Sequence, residues 1–160
     1  MGDGLLTKGR APTLTMMKGL PASGKSTWAR GMVARSGGLC KRVCKDDLRD
    51  MLDAGVWSEE NEEYVLRVRD SLVNAFLTDG LDVIVDDTNL HPKHELRLRE
   101  IARRRGAVFA IRDFTLVPLQ ECIQRDANRD RSVGEDVIRS MHQRFLAVAG
   151  RVSAGQRRSR

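Results

Sequence analysis

Gly19-Leu20-Pro21-Ala22-Ser23-Gly24-Lys25-Ser26 fits the pattern G-x-x-x-x-G-K-[ST], and its setting decides the fold. Thr13–Lys18 (TLTMMK) before it is a short apolar run that reads as a buried strand, and Lys25–Ala34 after it reads as a helix. Strand, glycine-bearing loop and helix in that order form a phosphate cradle. The glycines let backbone N–H groups converge on phosphate oxygens, and the helix adds the positive end of its dipole. Gly19 to Thr27 are therefore expected to hold a nucleoside triphosphate. Lys25 would neutralise the β and γ phosphates, and Ser26 would place its hydroxyl on Mg²⁺.

Outward from the loop, strand and helix signals alternate. Arg42–Lys45 reads as a second strand. Ser58, followed by Glu59, Glu60, Glu62 and Glu63, caps a long helix ending near Gly80. The expected buried stripe of that helix is Val65, Val68, Leu72 and Phe76. Asp82–Asp87 (DVIVDD) has the β-branched character of a parallel strand, Pro92–Arg105 is helical, and Val108–Phe114 is a further strand. Pro118 starts another helix, and Ser132 with Glu135 reads as a capping box for the last. Its inward side chains would be Val137, Ile138, Met141 and Phe145. The fold class is thus α/β, of the P-loop NTPase type: a parallel sheet of about four to five strands with helices on both faces.

Length and composition set the bounds. The 160 residues, 41% of them apolar, suit one domain able to bury its own core. The expected organisation is a flexible leader over 1–12, a P-loop domain over 13–150 and a basic tail over 151–160. The charge of +6 places +4 on that tail and +1 on the leader, leaving +1 for the body. The overall charge therefore says little about an acidic partner, and arginine outnumbers lysine 22 to 6 in a way that codon bias would also produce. No long apolar run or signal sequence appears. The three cysteines, Cys40, Cys44 and Cys122, match no zinc or disulfide spacing. Spanning a membrane is not expected. A reduced cytoplasmic setting is.

A phosphate cradle does not choose a reaction, because GTPases, motors and kinases share it. Lys45-Asp46-Asp47-Leu48-Arg49 lies just past the second strand, at the sheet edge where open α/β folds display their ligands. One aspartate there suits a general base, and equally a helix N-cap. Asp86-Asp87-Thr88-Asn89 follows the DVIVDD strand and resembles a Walker-B acid. Adjacent strand residues point to opposite faces, so one of the two carboxylates would serve the metal. His91 and His94 lack a further ligand and read as packing or surface groups. Arg125, Arg129 and Arg131 suit neutralisation of a transferring phosphoryl, or else pairing with Asp126 and Asp130 on a solvated face.

Taken together, these residues resemble the kinase domain of the phage polynucleotide 5′-kinases over about Leu14 to Leu146. Gly19–Trp28 (GLPASGKSTW) is similar to that family's loop, Lys45–Arg49 to its D-D-x-R, Asp87–Leu90 to its D-T-N-L, and Asp136–Met141 to its D-V-[LI]-R-S-M. The resemblance implies ATP and Mg²⁺ as cofactors, a 5′-hydroxyl end of RNA or DNA as acceptor, and a role in nucleic-acid end repair. It makes Asp46 the base, Arg49 the contact to the acceptor phosphate, and Asp87 with Asn89 part of the acceptor side. Arg129 would stabilise the transferring phosphate, with Arg125 beside it. The metal contacts, Ser26 and Asp86, are read from the loop and the strand themselves, since the resemblance requires no acid at Asp86. The family's phosphatase half uses a D-x-D-G-T motif that this chain lacks, so kinase activity alone is expected.

The acceptor is less legible from the residues. Residues 88–112 carry seven basic side chains against two acids, a face that suits a phosphate backbone or plain solvation. Aromatic residues make up only 4%, so stacking platforms are scarce and a short grip on a strand end is expected. Two rivals stay open. One is a P-loop kinase acting on a small-molecule hydroxyl, and the other is a non-catalytic nucleotide-binding module.

Overall fold

The computed structural model describes residues 9–147. The expected basic tail and the first eight residues of the leader lie outside them. Within the leader, Arg10 pairs with Asp82 at 2.7 Å, and Pro12 accepts a backbone hydrogen bond from Val108 at 2.9 Å.

Four strands and six helices follow one another as β1 (Thr13–Lys18), α1 (Lys25–Arg35), β2 (Cys40–Val43), α2 (Lys45–Asp53), α3 (Glu59–Thr78), β3 (Asp82–Val85), α4 (Pro92–Arg104), β4 (Val108–Asp113), α5 (Leu119–Ala127) and α6 (Glu135–Phe145). The sheet order is β2-β3-β1-β4 and every pairing is parallel. All four strands therefore end on one side, and the loops leaving β1, β2 and β3 meet there. The main core lies between the sheet and α3 and α4, built on Leu14, Met16, Val65, Val73, Val85 and Leu98. α1 covers the opposite face through Ala29, packed with Met17 and Ile84. α5 and α6 pack on each other through Cys122 and Ile138, beside Leu20 of the loop after β1.

Four sequence expectations need correction. β2 runs over Cys40–Val43 rather than Arg42–Lys45, because Lys45 already begins α2, a helix the periodicity did not reveal. The fully buried stripe of α3 is Val65, Arg69, Val73 and Leu77, with Val68, Leu72 and Phe76 only partly covered. Hydropathy misplaces that stripe because a fully buried arginine stands in it, neutralised by Asp70 at 2.7 Å and Asp87 at 3.5 Å. Ser132 is not the cap of α6. Gly134 holds that place, and the Ser132 hydroxyl donates to Asp126 at 2.6 Å. Val137 lies on the exposed side of α6, leaving Ile138 as its buried residue.

Among the described residues, no helix is long and apolar enough to cross a membrane. The three cysteines are free and buried.

Candidate active site

The loop after β1 is bent as a phosphate cradle requires. Gly19 has φ 155° and sits so tightly that a Cβ would lie 2.8 Å from that of Phe114. Ala22 adopts φ 58° and Gly24 φ 99°, both left-handed, so successive N–H groups are turned to one side. α1 then opens with no side-chain cap and no acid in its first turn. Its N-terminal amides are therefore available to an anion.

Lys25 lies buried across this loop. Its ammonium donates to the carbonyls of Gly19 at 3.0 Å and Leu20 at 2.6 Å, and to the Ser23 hydroxyl at 3.3 Å. Burial pulls its pKa from 10.5 down to about 8, with Asp86 opposing and Arg129 reinforcing the shift. Those two residues thus feel the charge of the loop lysine.

An open cleft of about 1280 Å³ joins three groups of residues. Ala22 to Thr27 of the loop and α1 form one wall; Asp46, Asp47, Arg49 and Asp50 of α2 form another; Arg125, Arg129, Arg131 and Ser132 form the third. Arg125 overlies the loop, its guanidinium 3.8 Å from where a Cβ on Gly24 would stand, and it pairs with Glu121. Arg129 pairs with Asp126, and Arg131 reaches across the cleft to pair with Asp50.

On α2, Asp46 and Arg49 are one turn apart and pair with each other, so both face the cleft. Asp46 is 83% exposed. Arg49 is held more firmly, donating to Glu62 of α3 at 2.7 and 3.0 Å. Lys45 donates to the same carboxylate at 2.9 Å. Burial would raise the Glu62 pKa, but these two cations outweigh it and bring it to about 2. Glu62 is thus a member of the site that the sequence presented only as a first-turn acid.

The DVIVDD strand supplies supports behind this surface. Asp86 is buried, and its Oδ2 accepts from Arg42 at 2.6 Å while Oδ1 has no protein partner. Arg42 also pairs with Asp47. An orphaned buried carboxylate oxygen near Lys25, with the Ser26 hydroxyl on the adjoining wall, fits the oxygen donor set of Mg²⁺. None of Asp86, Asp87 and Asn89 lines the cleft wall. Asp87 Oδ1 accepts the Lys45 backbone N–H at 2.8 Å, capping α2 from a neighbouring element, and burial raises its pKa. The Asn89 amide donates to the carbonyl of Met17 at 2.8 Å, locking the turn after β3 onto β1. Gly19, Leu20 and Pro21 likewise shape the loop from behind rather than line the cleft.

The flanking histidines and thiols are structural. His91 caps α4, accepting from the N–H of Lys93 at 3.1 Å. Burial, with Lys45 and Arg69 nearby, lowers the His94 pKa to about 4. Burial pushes the Cys44 thiol up to about 11. The arginines of α4 are matched by acids: Arg97 pairs with Asp70, Arg99 with Glu95, and Arg103 and Arg104 with Glu100. No residue of that helix lines the cleft.

Comparison with known proteins agrees with this architecture. The L-seryl-tRNA(Sec) kinase of Methanococcus maripaludis is 24% identical over 140 residues, covering 82% of this chain and 52% of that protein. The chain therefore spans about half the length of that relative. A chain of the Pnkp1/Rnl/Hen1 RNA repair complex superposes with TM-score 0.75 at 25% identity, over 91% of this chain and 47% of its own. Another structure of the Pnkp1/Rnl/Hen1 complex gives TM-score 0.66 at 28% identity, over 78% and 42%. The Mycobacterium tuberculosis APS kinase CysC, in complex with AMPPNP and APS, shares the fold at 22% identity and TM-score 0.59, over 88% of this chain and 76% of that one. Residues 14–149 match the family described as AAA domain, so the chain belongs to that family, with the α/β fold of a P-loop kinase.

Proposed function

We propose that this domain, taken as residues 13–150, is an ATP-dependent polynucleotide 5′-hydroxyl kinase. The carrying observation is that one cleft joins the phosphate loop, the Asp46–Arg49 pair and the arginines of the α5–α6 junction. A donor cradle, a candidate base with a neighbouring phosphate contact, and a set of cations for the transferring group are the parts an in-line phosphoryl transfer asks for. The four ordered motifs shared with the phage polynucleotide 5′-kinases support the acceptor. So do the similarity to a chain of an RNA repair complex and a relative named for an RNA-borne substrate.

In this reading the loop amides and Lys25 hold the triphosphate of ATP. The Asp46 carboxylate accepts the proton of the 5′-hydroxyl as its oxygen bonds to the γ-phosphorus. The bond to the β–γ bridging oxygen breaks, and ADP leaves. Arg129 and Arg125 neutralise the equatorial oxygens, while Arg49 holds the acceptor's first phosphate. Ser26 and Asp86 would hold Mg²⁺, which when bound offsets charge on the β and γ phosphates. Asp87, Asn89 and Glu62 act by fixing α2 and the turn behind the cleft.

The test is transfer of γ-labelled phosphate to 5′-hydroxyl RNA and DNA oligonucleotides, beside nucleosides and sugars. Label is expected on oligonucleotide ends and should fall about 10²- to 10⁴-fold in Asp46→Asn. Label confined to small molecules would overturn the acceptor, and undiminished transfer in Asp46→Asn would overturn the base.

A further inference from the structure

Asp126 has no place in the reaction described above, yet it is the most heavily bonded carboxylate near the cleft. It sits in the last turn of α5 and is 1% exposed. Its Oδ2 accepts from the Ser132 hydroxyl at 2.6 Å and from the Gly134 N–H at 2.9 Å. Its Oδ1 accepts from the Val133 N–H at 3.3 Å and pairs with the guanidinium of Arg129. Gly134 has φ 94°, which turns its N–H back toward the Ser132 hydroxyl at 3.1 Å. Ser132 and Val133 line the cleft beside Arg129. One buried carboxylate thus gathers the arginine and the following turn into a single unit.

Burial alone disfavours a charge at this position. The hydrogen bonds from Ser132, Gly134 and Val133, together with Arg129, outweigh burial and hold the carboxyl below its usual range. Such a shift accompanies functional sites and structural ion-pair networks alike, and here the cation in the network is Arg129 of the cleft wall. Arg129 itself is 39% exposed at its side chain and would otherwise rotate freely.

We infer that Asp126 is a positioning residue for phosphoryl transfer: it aims Arg129 and the Ser132–Gly134 turn at the transferring phosphate. The inference rests on the kinase reading above and adds to it a residue that touches neither ATP nor acceptor. Pre-orienting a cation before the reaction lowers the barrier, because no reorganisation is then needed as charge develops.

The experiment is a double-mutant cycle on kcat with Asp126→Asn, Arg129→Ala and the double variant, with thermal melting of each. Arg129→Ala should lose about 10³-fold or more, by analogy with other arginines that neutralise a transferring phosphoryl. Asp126→Asn should lose about tenfold to 10²-fold in kcat with KM for the oligonucleotide little changed, and add less than about threefold once Arg129 is absent. An equal loss in both backgrounds would show that Asp126 only holds the fold together and would overturn the inference. Asp126→Glu guards against misfolding, since it keeps the charge and the acceptor oxygens but shifts them by one methylene. A folded Asp126→Glu protein with wild-type kcat would equally overturn it. The same proteins are read on ATP hydrolysis without acceptor. Failure of the wild type to label oligonucleotides would then sink the polynucleotide reading, while the hydrolysis cycle still decides Asp126.

Discussion

At the scale of the residue, Lys25 carries the sharpest prediction. In the folded chain its ammonium is buried against loop carbonyls and its pKa stands near 8 rather than 10.5. The folded state therefore disfavours the charge. That cost is fully present below about pH 8 and disappears as the pH rises through the unfolded value. A bound triphosphate reverses the balance by giving the ammonium an anionic partner. At about pH 8.5, ATP binding should take up a fraction of a proton, and the heat measured by titration calorimetry should change with the ionisation heat of the buffer. Lys25→Met should abolish both binding and the buffer dependence, with a melting temperature at or above wild type. Identical heats in buffers of different ionisation enthalpy would show that Lys25 does not meet the phosphates.

At the scale of the element, α2 decides whether Asp46 and Arg49 face the cleft, and Glu62 decides where α2 sits. Glu62 of α3 binds both Lys45 and Arg49, and Asp87 of the β3 exit caps α2 through the Lys45 N–H. Its pKa lies near 2 against an ordinary 4.5, so its contribution is present above about pH 4.5 and is lost as the pH falls toward 2. Glu62→Gln should raise KM for the oligonucleotide about tenfold through a loosened Arg49, and leave KM for ATP unchanged. It should cost about 1 kcal/mol near neutral pH, the modest figure suited to a partly solvated pair, with the difference from wild type narrowing in acid. Urea unfolding at several pH values measures this; a constant difference down to pH 2 would place the effect elsewhere. The same helix marks the limit of the sequence. The strand–loop–helix at Gly19–Ser26 was legible because its glycines, lysine and serine are fixed by local chemistry. α2 was legible only as a possible N-cap at its aspartates: Leu48, Met51 and Leu52 do fall at helical spacing, but nine residues with one buried side chain, Leu48, are short enough to pass for a loop. Glu62 was hidden because its partners lie 13 and 17 positions away. The resemblance puts Asp87 and Asn89 on the acceptor side, whereas their side chains turn onto the Lys45 N–H and the Met17 carbonyl, because which way a strand-end side chain points depends on the packing of its neighbours.

At the scale of the whole molecule, the distribution of charge decides how a nucleic acid can be held. The basic run on α4 offers little to a phosphate backbone, since Arg97, Arg99, Arg103 and Arg104 are each paired with an acid and none lines the cleft. Inside the cleft Arg129 pairs with Asp126, Arg131 with Asp50, Arg125 with Glu121, Arg49 with Glu62 and Arg42 with Asp86, which leaves Arg30 as the lining arginine with no acid on it among the described residues. Such a surface can release an arginine to one or two phosphates but cannot track many. Each phosphate neutralised on a single strand contributes a slope of about −0.7 to log K against log salt. Binding of a 5′-hydroxyl oligonucleotide, followed by fluorescence anisotropy across a salt series, should therefore give a slope between about −0.7 and −1.5. The Arg103→Ala, Arg104→Ala double variant should leave that slope untouched, whereas Arg49→Ala should flatten it by about 0.7. A slope near −4 that falls in the α4 double variant would move the strand out of the cleft and onto the helix, and the short-grip account of acceptor binding would fail.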